Sequence, residues 1–128
     1  MISKDFSLLV VDDNEMNRDV LSRRLKRQGY EVSMAEDGRQ ALDMIREKSF
    51  HLILLDIMMP GMNGYQVLES LKSDQSLREI PVIMTSALDE ADRIEQCIEM
   101  GAEDYLQKPF DMILVKARIS ECLVRNYS

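Results

Sequence analysis

Hydrophobic and polar residues follow two different periods along this chain. Three almost continuous apolar runs, at residues 8–11, 52–55 and 82–84, predict strands that are buried on both faces. Two more mixed segments, Glu31 to Ala35 and Asp104 to Gln107, predict strands at the edges of the same sheet. Strands buried on both faces are typical of a parallel sheet covered by helices.

Between the strands, apolar residues recur at helical spacing. The predicted helices cover residues 14–28, 38–48, 64–73, 89–100 and 111–125. The residues that we expect to face the core are, helix by helix, Met16, Val20, Leu21 and Leu25; Ala41, Leu42 and Ile45; Val67, Leu68 and Leu71; Ala91, Ile94 and Ile98; and Val115, Ile119, Cys122 and Leu123. Strands and helices alternate five times, which predicts an α/β fold: a (βα)5 array with a doubly wound parallel sheet.

The length of 128 residues fits a single domain, residues 1–128. The apolar runs are far shorter than the ~18 residues of a membrane-spanning helix, and the segment Met1 to Asp5 has no apolar signal-peptide core. We therefore expect a cytoplasmic protein that does not enter a membrane. The net charge of −7 argues against nucleic-acid binding by this domain, because phosphates attract basic surfaces. Cys97 and Cys122 form no CxxC pair, and we expect both to be small buried thiols.

Polar side chains lie at the carboxyl ends of four of the predicted strands. Asp12 and Asp13 follow the first strand, Asp56 ends the third, Thr85 ends the fourth and Lys108 follows the fifth. If the strand order is 2-1-3-4-5, the three acids meet at the crevice where the chain reverses direction. Carboxylates repel one another, so such a cluster favours a hard divalent cation such as Mg²⁺. A nearby hydroxyl and ammonium group would complement a phosphoryl group on, or next to, a carboxylate.

Four segments in this order resemble the receiver domains of response regulators. They are Val11-Asp12-Asp13, the segment from Leu55 to Gly64, Thr85-Ser86-Ala87, and the segment from Gly101 to Phe110. The resemblance covers essentially the whole chain, and it implies the flavodoxin-like strand order 2-1-3-4-5. It also implies two-component, or phosphorelay, signal transduction as the function.

The resemblance implies a role for each polar residue at the strand ends. Asp56 matches the phosphoacceptor, which takes a phosphoryl group from a histidine kinase or a histidine phosphotransfer protein. Asp13 matches the direct Mg²⁺ ligand, Asp12 matches a ligand that acts through water, and Met58 matches the position whose backbone carbonyl binds the metal. Lys108 matches the lysine that pairs with the phosphoryl group. Beyond self-phosphotransfer and slow self-dephosphorylation, we expect no enzymatic activity.

The same resemblance implies a conformational switch. Thr85 matches the hydroxyl that moves toward the phosphoryl group, Tyr105 matches the aromatic residue that turns inward, and the Lys108-Pro109 bond matches a cis peptide. The switch would change the face formed by the fourth helix, the fifth strand and the fifth helix, which controls an output domain or a downstream protein. We expect the last helix to continue beyond Ser128 into a longer protein. We also expect phosphorylation-dependent homodimers that pair through charges of both signs on this face: Arg93, Glu99, Asp104, Lys116 and Arg118.

Three alternatives remain open from the sequence. A metal-dependent phosphatase with an aspartate nucleophile usually has a second acid where this chain has Met58. A flavodoxin-type cofactor module would need a phosphate-binding loop after the first strand. A non-phosphorylated interaction module would not need the intact acids. The single histidine, His51, is expected at the surface, and the basic first helix is either a solvated face or a docking surface for an acidic partner.

Overall fold

The computed structural model describes residues 6–87 and 91–127, in which five strands alternate with five helices. The strands are β1 (Ser7–Val11), β2 (Glu31–Ala35), β3 (Leu52–Asp56), β4 (Val82–Ser86) and β5 (Asp104–Gln107). The helices are α1 (Glu15–Arg27), α2 (Gly38–Glu47), α3 (Gly64–Ser73), α4 (Ala91–Glu99) and α5 (Met112–Tyr127). The expected start of the fourth helix at residue 89, the side chain of Ala91, the segment Met1 to Asp5 and the continuation beyond Ser128 lie outside the described residues.

All five strands are parallel and form one sheet in the order β2-β1-β3-β4-β5, which confirms the predicted fold. The two mixed segments are the edge strands, as the sequence indicated. Each pairs with only one neighbouring strand, and its side chains are less buried than those of the central strands. The register places Val11 beside Leu55 and Asp56 beside Thr85. The carboxyl ends of β1, β3 and β4 therefore lie next to one another at a single edge of the sheet.

Helices cover both faces of the sheet and divide the core into two layers. On one face, α2, α3 and α4 pack against side chains such as Leu9 and Leu55. On the other face, α1 and α5 pack against the alternate side chains, such as Leu8 and Leu54. Cys97 lies in the first layer and Cys122 in the second, and both are buried free thiols, as predicted.

The predicted core faces of α2, α3 and α5 are confirmed, but those of α1 and α4 are partly wrong. Met16 is 74% exposed, Val20 is 43% exposed and Ile98 is 46% exposed. In α1 the buried positions are Leu21, Ser22 and Leu25, so a serine occupies a place in the core that the apolar pattern could not indicate. The buried stripes of α1 and α4 are narrower than their apolar patterns, because each helix covers only part of one face.

His51, which we expected at the surface, is half-buried directly before β3. Its Nδ1 accepts a hydrogen bond from the backbone N–H of Ser7 at 3.0 Å. The ring packs edge-on against Phe6 and Tyr127, and the Tyr127 hydroxyl donates to the carbonyl oxygen of His51 at 2.8 Å. His51 thus ties the last turn of α5 to the amino-terminal end of the sheet, opposite the three acids.

Candidate functional site

Three carboxylates meet at the carboxyl-terminal edge of the sheet. Asp12, Asp13 and Asp56 each offer an oxygen, and these oxygens lie within 4.8 Å of one another. Asp12 and Asp56 are only 2% and 3% exposed, whereas Asp13 is exposed to solvent. The adjacency of β1 and β3 brings them together, as the sequence predicted. A site with two buried acids and one exposed acid is open on the side of Asp13.

Asp12 is held in place from several directions. Its Oδ1 accepts a hydrogen bond from the N–H of Asn14 at 2.8 Å, and its carbonyl oxygen accepts one from Arg18 Nη1 at 2.8 Å. Its own N–H donates to the carbonyl oxygen of Ala35 at 3.2 Å. Asn14 also caps α1, because its Oδ1 accepts from the N–H of Asn17 at 2.9 Å. Sequence reasoning missed the supporting roles of Asn14 and Arg18; an asparagine directly before an amphipathic helix was the available signal for the cap.

Lys108 reaches two of the acids from the end of β5. Its Nζ lies 2.7 Å from Asp12 Oδ2 and 3.3 Å from Asp56 Oδ2. Its N–H donates to the carbonyl oxygen of Ser86 at 2.8 Å, and the following peptide bond to Pro109 is cis. Burial opposes the charge of Lys108, but the hydrogen bond to Asp12 and the nearby charges outweigh burial and raise the pKa of this amine. Lys108 is therefore a fixed cation within the cluster.

One lysine does not neutralise three carboxylates. Burial raises the pKa of Asp56 to about 6; Lys108 opposes this shift, and the charge of Asp12 adds to it. Asp56 is consequently an acid whose ionisation costs free energy until another cation arrives. Closely spaced carboxylate oxygens, open to solvent at Asp13, fit a hard divalent cation such as Mg²⁺.

The backbone around Asp56 leaves no space for a larger residue at position 64. The N–H of Gly64 donates to the carbonyl oxygen of Ile57 at 2.8 Å, and the N–H of Ile57 donates to the carbonyl oxygen of Thr85 at 3.0 Å. A Cβ on Gly64 would lie 2.3 Å from the carbonyl oxygen of Asp56. The close approach of α3 therefore fixes the end of β3. Sequence reasoning missed this role, although Gly64 stands directly after the helix cap Asn63.

The remaining predicted site residues surround the cluster at different depths. Thr85 is 2% exposed and lies beside Asp56 in the register of β3 and β4. Met58, two residues after Asp56, is 56% exposed. Tyr105 lies outside the acidic cluster; it is half-buried on β5 beside Met84 and packs against the core layer that contains α4. The structure therefore brings Thr85 close to Asp56 and places Tyr105 on β5, the strand next to that of Thr85.

Residues 8–120 match the family model of the response regulator receiver domain. The chain belongs to this family. The response regulator PleD of Caulobacter vibrioides is 48% identical to it over 113 residues, and the response regulator RR06 of Streptococcus pneumoniae serotype 2 is 37% identical over 121 residues. These segments cover 88% and 94% of this receiver domain but only 25% and 54% of the two relatives. The chain thus spans between a quarter and about half of their length.

Solved receiver domains have the same fold. The receiver domain of the Francisella response regulator 1452 has a TM-score of 0.87 and 29% identity, covering 94% of this chain and 98% of that chain. The BeF3-activated DrrB receiver domain has a TM-score of 0.82 and 30% identity, covering 92% of this chain and 97% of that chain. No helix in the described part of the chain is long and apolar enough to cross a membrane.

Proposed function

We propose that this receiver domain accepts a phosphoryl group on Asp56 from the phosphohistidine of a histidine kinase or a histidine phosphotransfer protein. The observation that carries the proposal is the setting of Asp56: a buried carboxylate within 4.8 Å of two further acids and 3.3 Å from the Lys108 ammonium. A structural ion pair would need one acid for one lysine. Two additional carboxylates favour a site that binds a divalent cation and accepts a transferred phosphoryl group.

In the proposed reaction, an oxygen of Asp56 attacks the phosphorus atom of the phosphohistidine. The new P–O bond forms as the P–N bond breaks, and the imidazole leaves with the electron pair and takes up a proton. Asp12, Asp13, Asp56 and the backbone carbonyl of Met58 would hold Mg²⁺, which supplies positive charge opposite the phosphoryl oxygens. Lys108 is already close enough to Asp56 to pair with one of those oxygens.

We further propose that Thr85 and Tyr105 transmit the change to the surface formed by α4, β5 and α5. Thr85 is buried beside Asp56, so its hydroxyl can turn toward a phosphoryl group, and Tyr105 lies on the next strand. Phosphorylation moves this equilibrium only by binding one conformation better than the other. The output is a further domain or a separate protein. The phosphorylation-dependent homodimer also stays a prediction.

Intact-mass measurement after incubation with Mg²⁺ and a small phosphodonor such as acetyl phosphate tests the acceptor. We expect one phosphoryl group on the parent protein and none on Asp56→Asn. Asp43→Asn, which removes an exposed acid of α2, is the matched control and should be modified like the parent. Equal modification of Asp56→Asn and the parent would show that Asp56 is not the acceptor. Continuous hydrolysis of a generic phosphate ester would instead favour the phosphatase alternative.

Substitution of Thr85 separates phosphoryl binding from switching. We expect Thr85→Ala to bind beryllofluoride at Asp56 while the amide chemical-shift changes near Tyr105 become smaller, because no hydroxyl follows the bound group. Thr85→Ser keeps the hydroxyl and should restore most of the response. If Thr85→Ala gives the same remote shifts as the parent, coupling through this hydroxyl is wrong.

Two exposed apolar residues support a long-lived phosphorylated state. Met58 and Ala87 flank the site at the second position after Asp56 and the second after Thr85, and both are exposed. Neither side chain can position an attacking water molecule by hydrogen bonding. We therefore propose slow self-dephosphorylation, which the decay of the phosphorylated mass after removal of the donor would measure.

A further inference from the structure

We propose that the free edge of β2, together with the neighbouring flank of α1, binds an extended acidic segment of a partner protein as a sixth strand. β2 pairs only with β1, so one side of this strand has no neighbour in the sheet. The N–H of Glu31 and the carbonyl oxygen of Ala35 form hydrogen bonds with residues at the two ends of β1. Because successive residues of a strand direct their backbone groups to alternate sides, the N–H and carbonyl groups of Val32 and Met34 point away from β1.

The β2 edge lacks the features that usually prevent a further strand from binding. Edge strands are commonly protected by a proline, a lysine or a bulge. The β2 sequence, Glu-Val-Ser-Met-Ala, contains neither proline nor lysine, and its register with β1 is continuous from Glu31 to Ala35. At the other edge of the sheet, β5 is shorter by one residue and is soon followed by Pro109. An extended segment can therefore continue the sheet at β2 through backbone hydrogen bonds.

A groove lies on the α1 side of this edge. Met34 points to that side, because its partner in the register is Val10, which belongs to the core layer covered by α1 and α5. Met34 is 38% exposed, and with residues of α1 it lines a groove of about 200 Å³. On the α2 side of β2, Lys48 Nζ already lies 3.3 Å from Ser33 Oγ and 3.3 Å from Glu31 Oε1. We therefore expect the side chains of the partner to be recognised in the groove beside α1.

The α1 residues in the groove favour a carboxylate as the group that enters it. Arg23 and Lys26 are exposed, and neither forms an ion pair or a side-chain hydrogen bond with any residue that the structure describes. Ser22 is 3% exposed, and its Oγ has no hydrogen-bond partner. A carboxylate accepts hydrogen bonds from all three of these groups. Asp19 also lines the groove, but one acid does not neutralise two cations.

The geometry of an added strand defines the pattern of the partner. Side chains on one face of a strand are two residues apart, so the residues beside Val32 and Met34 on the added strand are also two residues apart. An apolar residue beside Met34 would cover the exposed part of its side chain. An acidic residue two positions away would reach the cations of α1. The occupant is therefore an extended segment in which an apolar and an acidic residue share one face.

This surface is separate from the proposed phosphorylation site. Asp56 ends β3, and β1 lies between β3 and β2. The groove lies on the outer side of β2, so a partner bound there leaves the open side of the acidic cluster at Asp13 free. Binding at the β2 edge therefore does not rest on the proposed phosphorylation of Asp56.

Titration with a short peptide, followed by amide chemical shifts of the chain, tests the proposal. The probe is Ser-Thr-Val-Thr-Glu-Thr-Ser, acetylated and amidated, in which valine and glutamate share one face. We expect a Kd on the order of 1 mM, because a short flexible peptide pays a large ordering cost. The shifts should be largest at Val32 and Met34, and hydrogen exchange of these two amides should slow because they gain acceptors. The same peptide with lysine in place of glutamate should bind about tenfold more weakly.

Two double variants separate the groove from the net charge. Arg23→Gln with Lys26→Gln should weaken binding of the peptide about threefold to tenfold. Arg24→Gln with Arg46→Gln makes the same change in net charge at exposed positions outside the groove, and it should bind the peptide like the parent. Asp56→Asn should also bind like the parent, so failure of the proposed phosphorylation leaves this result unchanged.

Several outcomes would overturn the proposal. One is the absence of shifts at Val32 and Met34 at about 5 mM peptide, a concentration well above the expected Kd. Equal weakening in the two double variants, or equal binding of the lysine peptide, would show that the groove does not select a carboxylate. Binding of N-acetylglutamate amide as tight as that of the peptide would show a carboxylate site without an added strand.

Discussion

Asp56→Asn should stabilise the metal-free protein at neutral pH, although it removes the proposed acceptor. Burial, the largest cause, raises the pKa of Asp56 from 3.8 to about 6. A raised carboxyl pKa means that the folded state holds the proton more tightly than the unfolded state does. The free energy of unfolding therefore falls as the pH rises from about 4 to about 6, and the whole penalty is present above pH 7. Asparagine has nearly the same shape and never ionises.

The size of the effect follows from the pKa difference. A shift of about two pKa units corresponds to about 3 kcal/mol at 1.36 kcal/mol per unit. Since Asp56 is 3% exposed, solvent screens this penalty little. For a domain of 128 residues, about 3 kcal/mol corresponds to a rise in Tm of about 10 °C. The expected gain is thus easily measured, and it has the opposite sign to that of most substitutions at buried sites.

The free energies of unfolding can be measured by urea titration in EDTA. The parent and Asp56→Asn are compared at several pH values between 4 and 8. The difference between the two proteins should be small at pH 4 and reach its full value above pH 7. Asp43→Asn makes the same change in net charge at an exposed position, so it controls for general repulsion in this acidic chain. Addition of Mg²⁺ should reduce the advantage of Asp56→Asn, because the parent site then contains a cation. A difference that does not vary with pH, or a less stable Asp56→Asn at pH 8, would refute this reasoning.

Two further predictions concern the same site. Affinity for Mg²⁺, measured by calorimetry, should fall about tenfold per pH unit below pH 6, because the proton on Asp56 competes with the metal; equal affinities at pH 5 and pH 7.5 would contradict this. Gly64→Ala should lower the free energy of unfolding by about 1–3 kcal/mol or more, because its Cβ would meet the Asp56 carbonyl oxygen at 2.3 Å. In the same urea titration, Gly61→Ala has open space around the new Cβ but a φ of +73°, so it should cost only about 1 kcal/mol, and a Gly64→Ala variant as stable as the parent would contradict the packing argument.

The fold was predictable because two signals in the sequence agree. Apolar runs without alternation indicate strands buried on both faces, and a parallel sheet follows when helices separate them. The strand order came from the resemblance, and with this order the end of β1 must lie beside the end of β3. The convergence of Asp12, Asp13 and Asp56 was predictable for the same reason, since residues that end adjacent parallel strands share one edge.

The surface of each helix was less predictable, because hydrophobic periodicity does not show how much of a helix the sheet covers. Met16 and Val20 continue the apolar pattern of Leu21 and Leu25, but their side chains lie outside the buried stripe of α1. The same limit affected Ile98 on α4. An apolar residue outside the covered stripe looks the same in the sequence as one inside it, and only the structure separates the two.

Ion pairs between residues far apart in the sequence could not be predicted from the sequence. These ion pairs change which charged side chains are available to partners. Arg118 and Asp104 looked like free charges of opposite sign, but α5 packs against β5 so that they lie 2.9 Å apart within one chain. Lys108 was expected to serve Asp56, yet it lies closer to Asp12, at 2.7 Å against 3.3 Å. Lys108 is thus shared between two carboxylates and cannot fully neutralise either. A cation that binds Asp12 and Asp13 would weaken the ion pair between Lys108 and Asp12. The ammonium group could then pair more closely with Asp56 or with a phosphoryl group on it. Metal binding and phosphoryl binding should therefore favour each other through Lys108.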